Sequence, residues 1–398
     1  MPNIMDYLDW RGDIVFAYAP FNEVDNLILS QLVYVNLDHI VPSRWTEGSI
    51  TIREAAERYF ALYSEEERSR LGYITRISLP LLHKLADCPR FATARLSHFE
   101  RTIDLDRVKQ FAAMRIALDD GSVFYAYRGT DNTIVGWKEN FQMCITTPVP
   151  AQYEALRYLE DTAEGDDAPL RLGGHSKGGN LAVYAAARCR SELRRRIIAV
   201  YNNDGPGFDA SMMRSEGYRE LLDRIVTIVP QSSVVGLLLE HAEAYIVVQS
   251  KASLLMQHEA FTWEVKGSSF VRGDAVEKNS QLLDTTLKSW LAQLGKEQRQ
   301  QFIAAVFHAL DVGEVRTLED LGRAKWSSIN GMIRAMNQTP EYKTVLARTL
   351  RLLLREGHRV MLAAAREARL RTSPTAIPST LLESVTQQAQ GMAAEERS

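Results

Sequence analysis

A serine in a glycine-rich turn, placed directly between a predicted strand and a predicted helix, constrains this chain more than any other feature. Residues 171–187 read RLGGHSKGGNLAVYAAA, and positions 174–178 form a G-x-S-x-G pattern. A sharp strand-to-helix turn lifts a serine hydroxyl above a sheet, and its neighbours must be small because helix and strand nearly touch there. We therefore predict that Ser176 is a nucleophile and that the Lys177 N–H helps to hold an oxyanion. The alternative is a glycine-rich turn with an incidental serine.

Strands and helices alternate through the middle of the chain. The apolar segments FAAMRIAL and SVFYAYRG flank the turn DDG, which predicts a hairpin. The strand-like segments PLRLGG, RIIAVYNND, RIVTIVP and AYIVVQS follow, with helix-like segments or loops between them. This order predicts an α/β fold with a mainly parallel sheet covered by helices on both faces and a site at the carboxyl ends of the strands. Further helices are expected around 23–39, with Asn22 as a cap, 51–64 and 76–86.

Composition narrows the class of protein. The 398 residues carry a formal net charge of -3 and are 45 % hydrophobic, as in ordinary globular proteins, so bulk charge predicts neither a nucleic-acid partner nor an anionic membrane. The segment MPNIMDYLDWRGDIVF does not resemble a signal peptide, and no run approaches the ~18 apolar residues of a membrane span. Cys88, Cys144 and Cys189 lie far apart, which argues against a disulfide framework or a zinc site. We expect a cytoplasmic protein.

Near residue 275 the alternation of strand-like and helix-like segments ends, and only helix-like segments follow. Residues 1–274 are predicted to form the α/β core with a helical N-terminal segment, 275–372 a helical C-terminal extension, and 373–398 a flexible tail. The last predicted helix is rich in arginine. We favour a solvated face on a packed helix; the alternative is a helix that contacts a membrane surface or a protein partner.

A second motif follows the predicted strand SVFYAYRG. The tripeptide RGT at 128–130 precedes Trp137 and Asn140. Together with the GHSKGG turn, this run resembles the class-three (triacylglycerol) lipases. Over roughly residues 20–290 the chain more closely resembles an uncharacterised bacterial family of lipase-like hydrolases, through FNEVDNLILSQLVYV, NNDGPGF, VPQSSVVGLLL and QHEAFTW. The resemblance implies the α/β-hydrolase fold and makes Thr130 the second oxyanion donor; otherwise Thr130 is a turn residue.

The nucleophile needs an imidazole to accept its proton, and the chain order in this fold is serine, acid, histidine. Four histidines follow Ser176, namely His241, His258, His308 and His358. The last two fall at amphipathic positions of the predicted extension. His258 follows the strand AYIVVQS, where the last loop of the fold delivers the base, whereas His241 precedes that strand. We favour His258 and keep His241 as the alternative.

The acid that orients the histidine is predicted at Asp204. This residue ends the strand RIIAVYNND, so its carboxylate lies at the tip of the strand that follows the nucleophile. The lipases take their acid from the next strand, but the corresponding segment TIVPQSSVV holds no carboxylate. Asp209 and Glu259 are the other candidates, and an Asx turn before Gly-Pro is the structural interpretation of Asp204.

These residues predict a serine hydrolase that cleaves a small-molecule ester, thioester or amide through an acyl-enzyme, with no metal or organic cofactor. A lipid substrate follows from the resemblance alone. The segment 204–222 is a candidate lid or pocket wall. The charge of Lys177, where the lipases usually carry an apolar residue, argues against a greasy substrate unless its side chain points to solvent. The alternative function is a non-catalytic α/β-hydrolase scaffold that binds a ligand, or a protein partner through the C-terminal helices.

Overall fold

The computed structural model describes residues 2–131, 133–143, 147–165, 167–312 and 339–372. Within these residues a central sheet of eight strands runs in chain order beside a two-stranded ribbon. The central strands are β1 (Ile50–Thr51), β2 (Arg95–Asp104), β3 (Lys109–Ala117), β4 (Val123–Tyr127), β5 (Leu170–His175), β6 (Ile197–Asn203), β7 (Ile225–Pro230) and β8 (Tyr245–Val248). The ribbon pairs β9 (Val265–Lys266) with β10 (Ser269–Phe270).

The helices surround this sheet. They are α1 (Ile4–Arg11), α2 (Glu23–Leu32), α3 (Ile52–Leu62), α4 (Glu65–Ser69), α5 (Tyr73–Asp87), α6 (Ile134–Met143), α7 (Pro150–Thr162), α8 (Lys177–Arg188), α9 (Ser191–Arg196), α10 (Ala210–Met213), α11 (Glu216–Leu221), α12 (Lys278–Gln293), α13 (Lys296–Val312) and α14 (Pro340–Thr372). The helices predicted around 51–64 and 76–86 correspond to α3 and α5.

The sheet changes from antiparallel to parallel at β4. Strands β1 to β4 pair antiparallel, and β4 to β8 pair parallel. The β3–β4 hairpin is the one predicted around DDG, and its Gly121 has a φ of 80°, a value that glycine adopts at little cost. The predicted α/β class and mainly parallel sheet are confirmed. Strand β2 was not predicted, because its outer half (ERTID) is mostly charged or polar.

The two faces of the sheet are covered by different parts of the chain. Parallel strands in chain order, joined by crossovers of one hand, place their connecting helices on one face. Accordingly α7, α8 and α11 pack side by side there. The opposite face is covered by α2, which contacts β4, β5 and β6. The N-terminal segment is therefore the second helical layer of an α/β-hydrolase fold.

Helix α2 is shorter than the 23–39 predicted from its apolar spacing. It begins after Asn22, whose side chain accepts hydrogen bonds from the N–H groups of Val24 and Asp25 as expected of a cap, and it ends at Leu32. Residues 33–35 are buried but lie in turns. Their apolar character reflects core packing, which continues past the helix and extends the periodic pattern.

A buried ion pair fixes α2 against the rest of the N-terminal layer. Arg90 donates to both carboxylate oxygens of Asp25, at 2.8 and 2.5 Å, and both side chains are fully buried. The Tyr7 hydroxyl donates to the same carboxylate at 2.8 Å. The remaining guanidinium hydrogens go to the carbonyls of Ile14, Ala19 and Pro20. The arginine thus ties α1, α2 and the segment between them.

The C-terminal helices form a further layer. Helices α12 and α13 pack on α14, and α13 reaches the core through α6, where Phe307 meets Phe141 edge to face at 6.0 Å. The boundary at residue 275 stays a prediction, and the tail predicted for 373–398 lies outside the described residues. Among the helices described, none combines the length and the apolar character needed to cross a bilayer.

The Asp25–Arg90 pair is expected to be a large contributor to stability. Substitution Asp25→Ala leaves the Arg90 guanidinium buried without its counter-charge, so the free energy of unfolding is expected to fall by about 3–5 kcal/mol. Urea denaturation measures this directly. The control is Glu66→Ala, which breaks the exposed ion pair with Arg70. Equal losses in the two variants would contradict the account.

Candidate active site

The predicted nucleophile occupies a strained turn. Ser176 lies between the end of β5 and the start of α8. Its backbone has φ 57° and ψ -133°, a conformation that residues other than glycine rarely adopt. Its N–H donates to the carbonyl of Asn203 at 2.8 Å. A Cβ at Gly178 would come within 2.1 Å of the Tyr127 carbonyl oxygen, so only glycine lets the helix lie this close to β4. This is the geometry that the G-x-S-x-G pattern predicts.

The predicted acid and base form a hydrogen-bonded pair. His258 Nδ1 lies 2.6 Å from Asp204 Oδ2; the carboxylate is fully buried, whereas 30 % of the imidazole is exposed. The other oxygen, Asp204 Oδ1, accepts from Ser233 Oγ at 2.5 Å and from the Gly236 N–H at 3.2 Å. Asp204 follows the last residue of β6 with a φ of 51°. A carboxylate whose two oxygens both accept hydrogen bonds is held in one orientation, which in turn orients the imidazole.

The other predicted acids and bases have partners elsewhere. Asp209 caps α10 by accepting from the N–H groups of Ser211 and Met212. Glu259 accepts from the N–H of Phe261 two residues on. His241 faces Glu243 at 3.0 Å. Burial raises the pKa of Glu243, but hydrogen bonds from His241 and from two hydroxyl groups outweigh it and bring that pKa to about 2.

The serine and the histidine are brought near each other through His175. The rings of His175 and His258 lie 4.7 Å apart, and His175 Nε2 is 2.8 Å from the His258 carbonyl oxygen. Since a carbonyl only accepts, Nε2 carries the proton. Burial, with His258 beside it, lowers the pKa of His175 well below its usual range, so the ring is neutral. Across the described residues, Ser176 Oγ makes no hydrogen bond to His258.

The RGT loop lies against the nucleophile turn. A Cβ on Gly129 would come within 3.2 Å of the Ser176 Cβ. The Thr130 hydroxyl donates to Asn140 Oδ1 at 2.9 Å. Among the described residues, the backbone N–H groups of Thr130 and Lys177 donate to no protein acceptor. Two free donors beside a strained serine suit an oxygen that becomes negative during reaction.

The Lys177 side chain points into the protein and not to solvent. Its Nζ lies 2.7 Å from Glu139 Oε2 and donates to the Gln110 carbonyl at 2.6 Å, and both charged side chains are fully buried. Burial lowers the pKa of Lys177, and the Glu139 carboxylate acts against this. The charge is compensated inside the protein, so it does not argue against an apolar substrate.

Helix α6 therefore contacts both residues whose N–H groups are candidate oxyanion donors, Thr130 and Lys177. Its consecutive residues Glu139 and Asn140 bind the side chains of Lys177 and Thr130 respectively. Neither α6 nor Glu139 was predicted from the sequence. The spacing of Trp137 and Asn140 after RGT did indicate that Asn140 lies near the site, but it did not predict the hydrogen bond to Thr130.

A family model described as Mbeg1-like matches residues 85–308, more than half of the chain. The match spans the whole candidate site, which comprises Thr130, Ser176, Lys177, Asp204 and His258. No curated protein matches.

Two solved lipase structures show weak likeness. The Rhizomucor miehei lipase–propeptide complex is 14 % identical with a TM-score of 0.31, over 40 % of this chain and 57 % of that one. The M37 lipase is 15 % identical with a TM-score of 0.30, over 53 % of this chain and 68 % of that one. This chain therefore spans little more than half of the first lipase. Likeness at this level carries no argument about activity.

The buried Lys177–Glu139 pair gives a test of how the turn is held. Lys177→Met leaves the Glu139 carboxylate buried without a cation, so the free energy of unfolding is expected to fall by about 3–5 kcal/mol. The double variant Lys177→Met/Glu139→Gln removes both charges, but its single amide oxygen can accept from only one of the two backbone N–H groups, those of Gln110 and Ala151, that bind the Glu139 carboxylate. Part of that loss is therefore expected to return. Chemical denaturation of the three proteins measures both changes. A double variant no more stable than Lys177→Met would refute this role of the pair.

Proposed function

The chain belongs to the Mbeg1-like family, and we propose that it is a serine hydrolase of the esterase or lipase class. Ser176 is the nucleophile, His258 the general base and Asp204 the acid that orients the base. The observation that carries the proposal is the 2.6 Å hydrogen bond between His258 Nδ1 and the buried Asp204 carboxylate, next to a serine in a strained turn. A buried carboxylate on one imidazole nitrogen leaves the other nitrogen to act as the base.

An acid placed directly after β6, and not after β7, can still orient His258. Strands β6 and β7 are neighbours, so their carboxyl ends open on the same edge of the sheet. The segment after β7, which lacks a carboxylate, instead supplies Ser233 and Gly236 as donors to Asp204. The end of β6 thus supplies the carboxylate, and the segment after β7 supplies the hydrogen-bond donors that orient it.

The reaction proceeds in two halves. Ser176 Oγ attacks the carbonyl carbon while His258 Nε2 takes the hydroxyl proton, and the carbonyl oxygen becomes an anion bound by the N–H groups of Thr130 and Lys177. The carbonyl reforms as the bond to the leaving group breaks, and His258 returns the proton to the departing alcohol, thiol or amine. Water then attacks the acyl-enzyme by the same route, which releases the acid and restores the serine.

The substrate is proposed to be a small-molecule acyl ester. A lipid ester follows from the resemblance to the class-three lipases, and the buried pairing of Lys177 removes the main objection to an apolar acyl chain. The bacterial affiliation of the family and the cytoplasmic location remain predictions.

One observation favours a second candidate function. In the described part of the chain Ser176 Oγ and His258 are not hydrogen-bonded, as expected of a scaffold that binds a ligand or protein without catalysis. Catalytic hydrogen bonds are often long in unliganded sites, which is why we rank this candidate second.

A fluorescent fluorophosphonate probe distinguishes the two. Wild-type protein is expected to label on one serine, and Ser176→Ala and His258→Ala to lose that label while remaining folded by circular dichroism. The control is Ser268→Ala, which removes an exposed hydroxyl in the turn of the β9–β10 ribbon. Absence of labelling in folded wild type would favour the scaffold.

The acid is tested by Asp204→Asn, which keeps the shape of the side chain and removes its charge. Ester hydrolysis is expected to fall about a thousandfold to ten-thousandfold in kcat, because the neutral amide no longer stabilises the imidazolium or holds the right tautomer. Steady-state kinetics on a short p-nitrophenyl ester measures this. Asp209→Asn is the matched control and is expected to leave kcat within about twofold. Equal losses of kcat in the two variants would contradict the role of Asp204 as the acid.

A further inference from the structure

Helix α14 presents apolar side chains to solvent. Leu350 is 47 % exposed, Leu354 73 % and Met361 59 %. At 100° per residue these three lie within about 40° of one another around the helix axis. Leu362, 47 % exposed, lies about 120° around the axis from Leu350, on the side that carries the arginines. A purely solvated face does not require these side chains.

One side of α14 packs against the neighbouring helices, and this packing determines which of its side chains face solvent. Leu346 and Val360 are buried. Trp290 of α12 donates to the Thr349 carbonyl at 3.0 Å, and Ser289 donates to Glu356 at 2.8 Å. These contacts fix the rotation of the helix and leave the strip on the side away from α12.

The exposed face also carries charge of a single sign. Its exposed arginines are Arg348, Arg351, Arg355, Arg359 and Arg366. Arg359 pairs with Glu356, which is the one acidic residue between positions 348 and 366 and is itself buried. Within the described residues the other four arginines have no carboxylate within ion-pair distance.

A groove runs along the arginine edge of the helix. Its volume is about 420 Å³, and its lining includes Arg348, Arg351 and Arg355 together with Gln293 and Gln298. Guanidinium and amide donors in a groove suit phosphate and carboxylate oxygens. At 100° per residue the three arginines lie about 60–160° around the helix axis from the apolar strip, so the strip and the groove occupy different sides of the exposed surface.

We propose that this face of α14 binds the surface of an anionic phospholipid bilayer. The leucines and the methionine enter the boundary between headgroups and acyl chains, while the arginines contact headgroup phosphates. An exposed helix surface with an apolar strip on one side and arginines on the other fits this partner by charge and by polarity. Nucleic acid would use the arginines but would leave the apolar strip in water. The chain's net charge of -3 makes the attraction local to this face.

The geometry is that of a helix lying on a membrane. The face between residues 348 and 366 extends for about 27 Å along the axis, and the opposite side stays buried against α12 and α13. The inference does not rest on the activity proposed for Ser176. If both hold, the hydrolase is brought to a phase that contains acyl esters.

Co-sedimentation of the full chain with vesicles tests the proposal. Vesicles of phosphatidylcholine alone are compared with vesicles that also contain phosphatidylserine as a minor component. The charge variant is Arg351→Glu/Arg355→Glu, the apolar variant is Leu350→Ser/Leu354→Ser, and the matched control is Arg70→Glu/Arg107→Glu, two arginines whose side chains are over 70 % exposed elsewhere on the surface. Circular dichroism melting confirms that each variant is folded.

Wild type is expected to bind the anionic vesicles and to leave the zwitterionic ones in solution. The charge variant and the apolar variant are each expected to bind the anionic vesicles about tenfold or more weakly, and the control to bind within twofold of wild type. Absence of wild-type binding, or equal binding to both vesicle types, would overturn the proposal. So would an apolar variant that binds as wild type does, because that would reduce the contact to electrostatic adsorption.

Discussion

The hydrogen bond between Asp204 and His258 is the interaction on which the rest of the site depends. The carboxylate is fully buried, and a buried charge is stable only where its hydrogen bonds are satisfied. Ser233, Gly236 and the imidazole supply those bonds. The tip of β6 and the segment after β7 therefore have to meet at one point, which explains why the acid and its donors come from neighbouring parallel strands.

The loop that carries His258 is fixed by contacts from three directions. Trp263, fully buried, donates to the Gln257 carbonyl at 2.8 Å, and the Gln257 side chain accepts from the Ser232 N–H at 2.7 Å. His175, next to the nucleophile, meets the His258 carbonyl. The end of β5, the segment after β7 and the loop itself thus contact Gln257 or the His258 carbonyl. These contacts would hold His258, the proposed base, in position before substrate binds.

Much of this follows from sequence, because local chemistry dictates it. Gly174 and Gly178, two positions before and after Ser176, have no room for a side chain, and Asp204 and His258 follow strands whose carboxyl ends share one edge. The buried partner of Lys177 could not be predicted, since Glu139 lies 38 positions away on a helix with weak apolar periodicity. Likewise, a strip of leucines reads as core in any helical pattern, and tertiary packing alone shows which side of α14 faces solvent.

The most direct test of the account is to trap the acyl-enzyme. The protein is mixed with a short p-nitrophenyl ester, quenched in acid within the first turnover, digested with trypsin and analysed by mass spectrometry. We expect one acyl group, carried by the peptide Leu172–Lys177 that contains Ser176, and its loss in His258→Ala. An acyl group on a different peptide, or p-nitrophenol release with no acylated peptide, would contradict the assignment of Ser176 as the nucleophile.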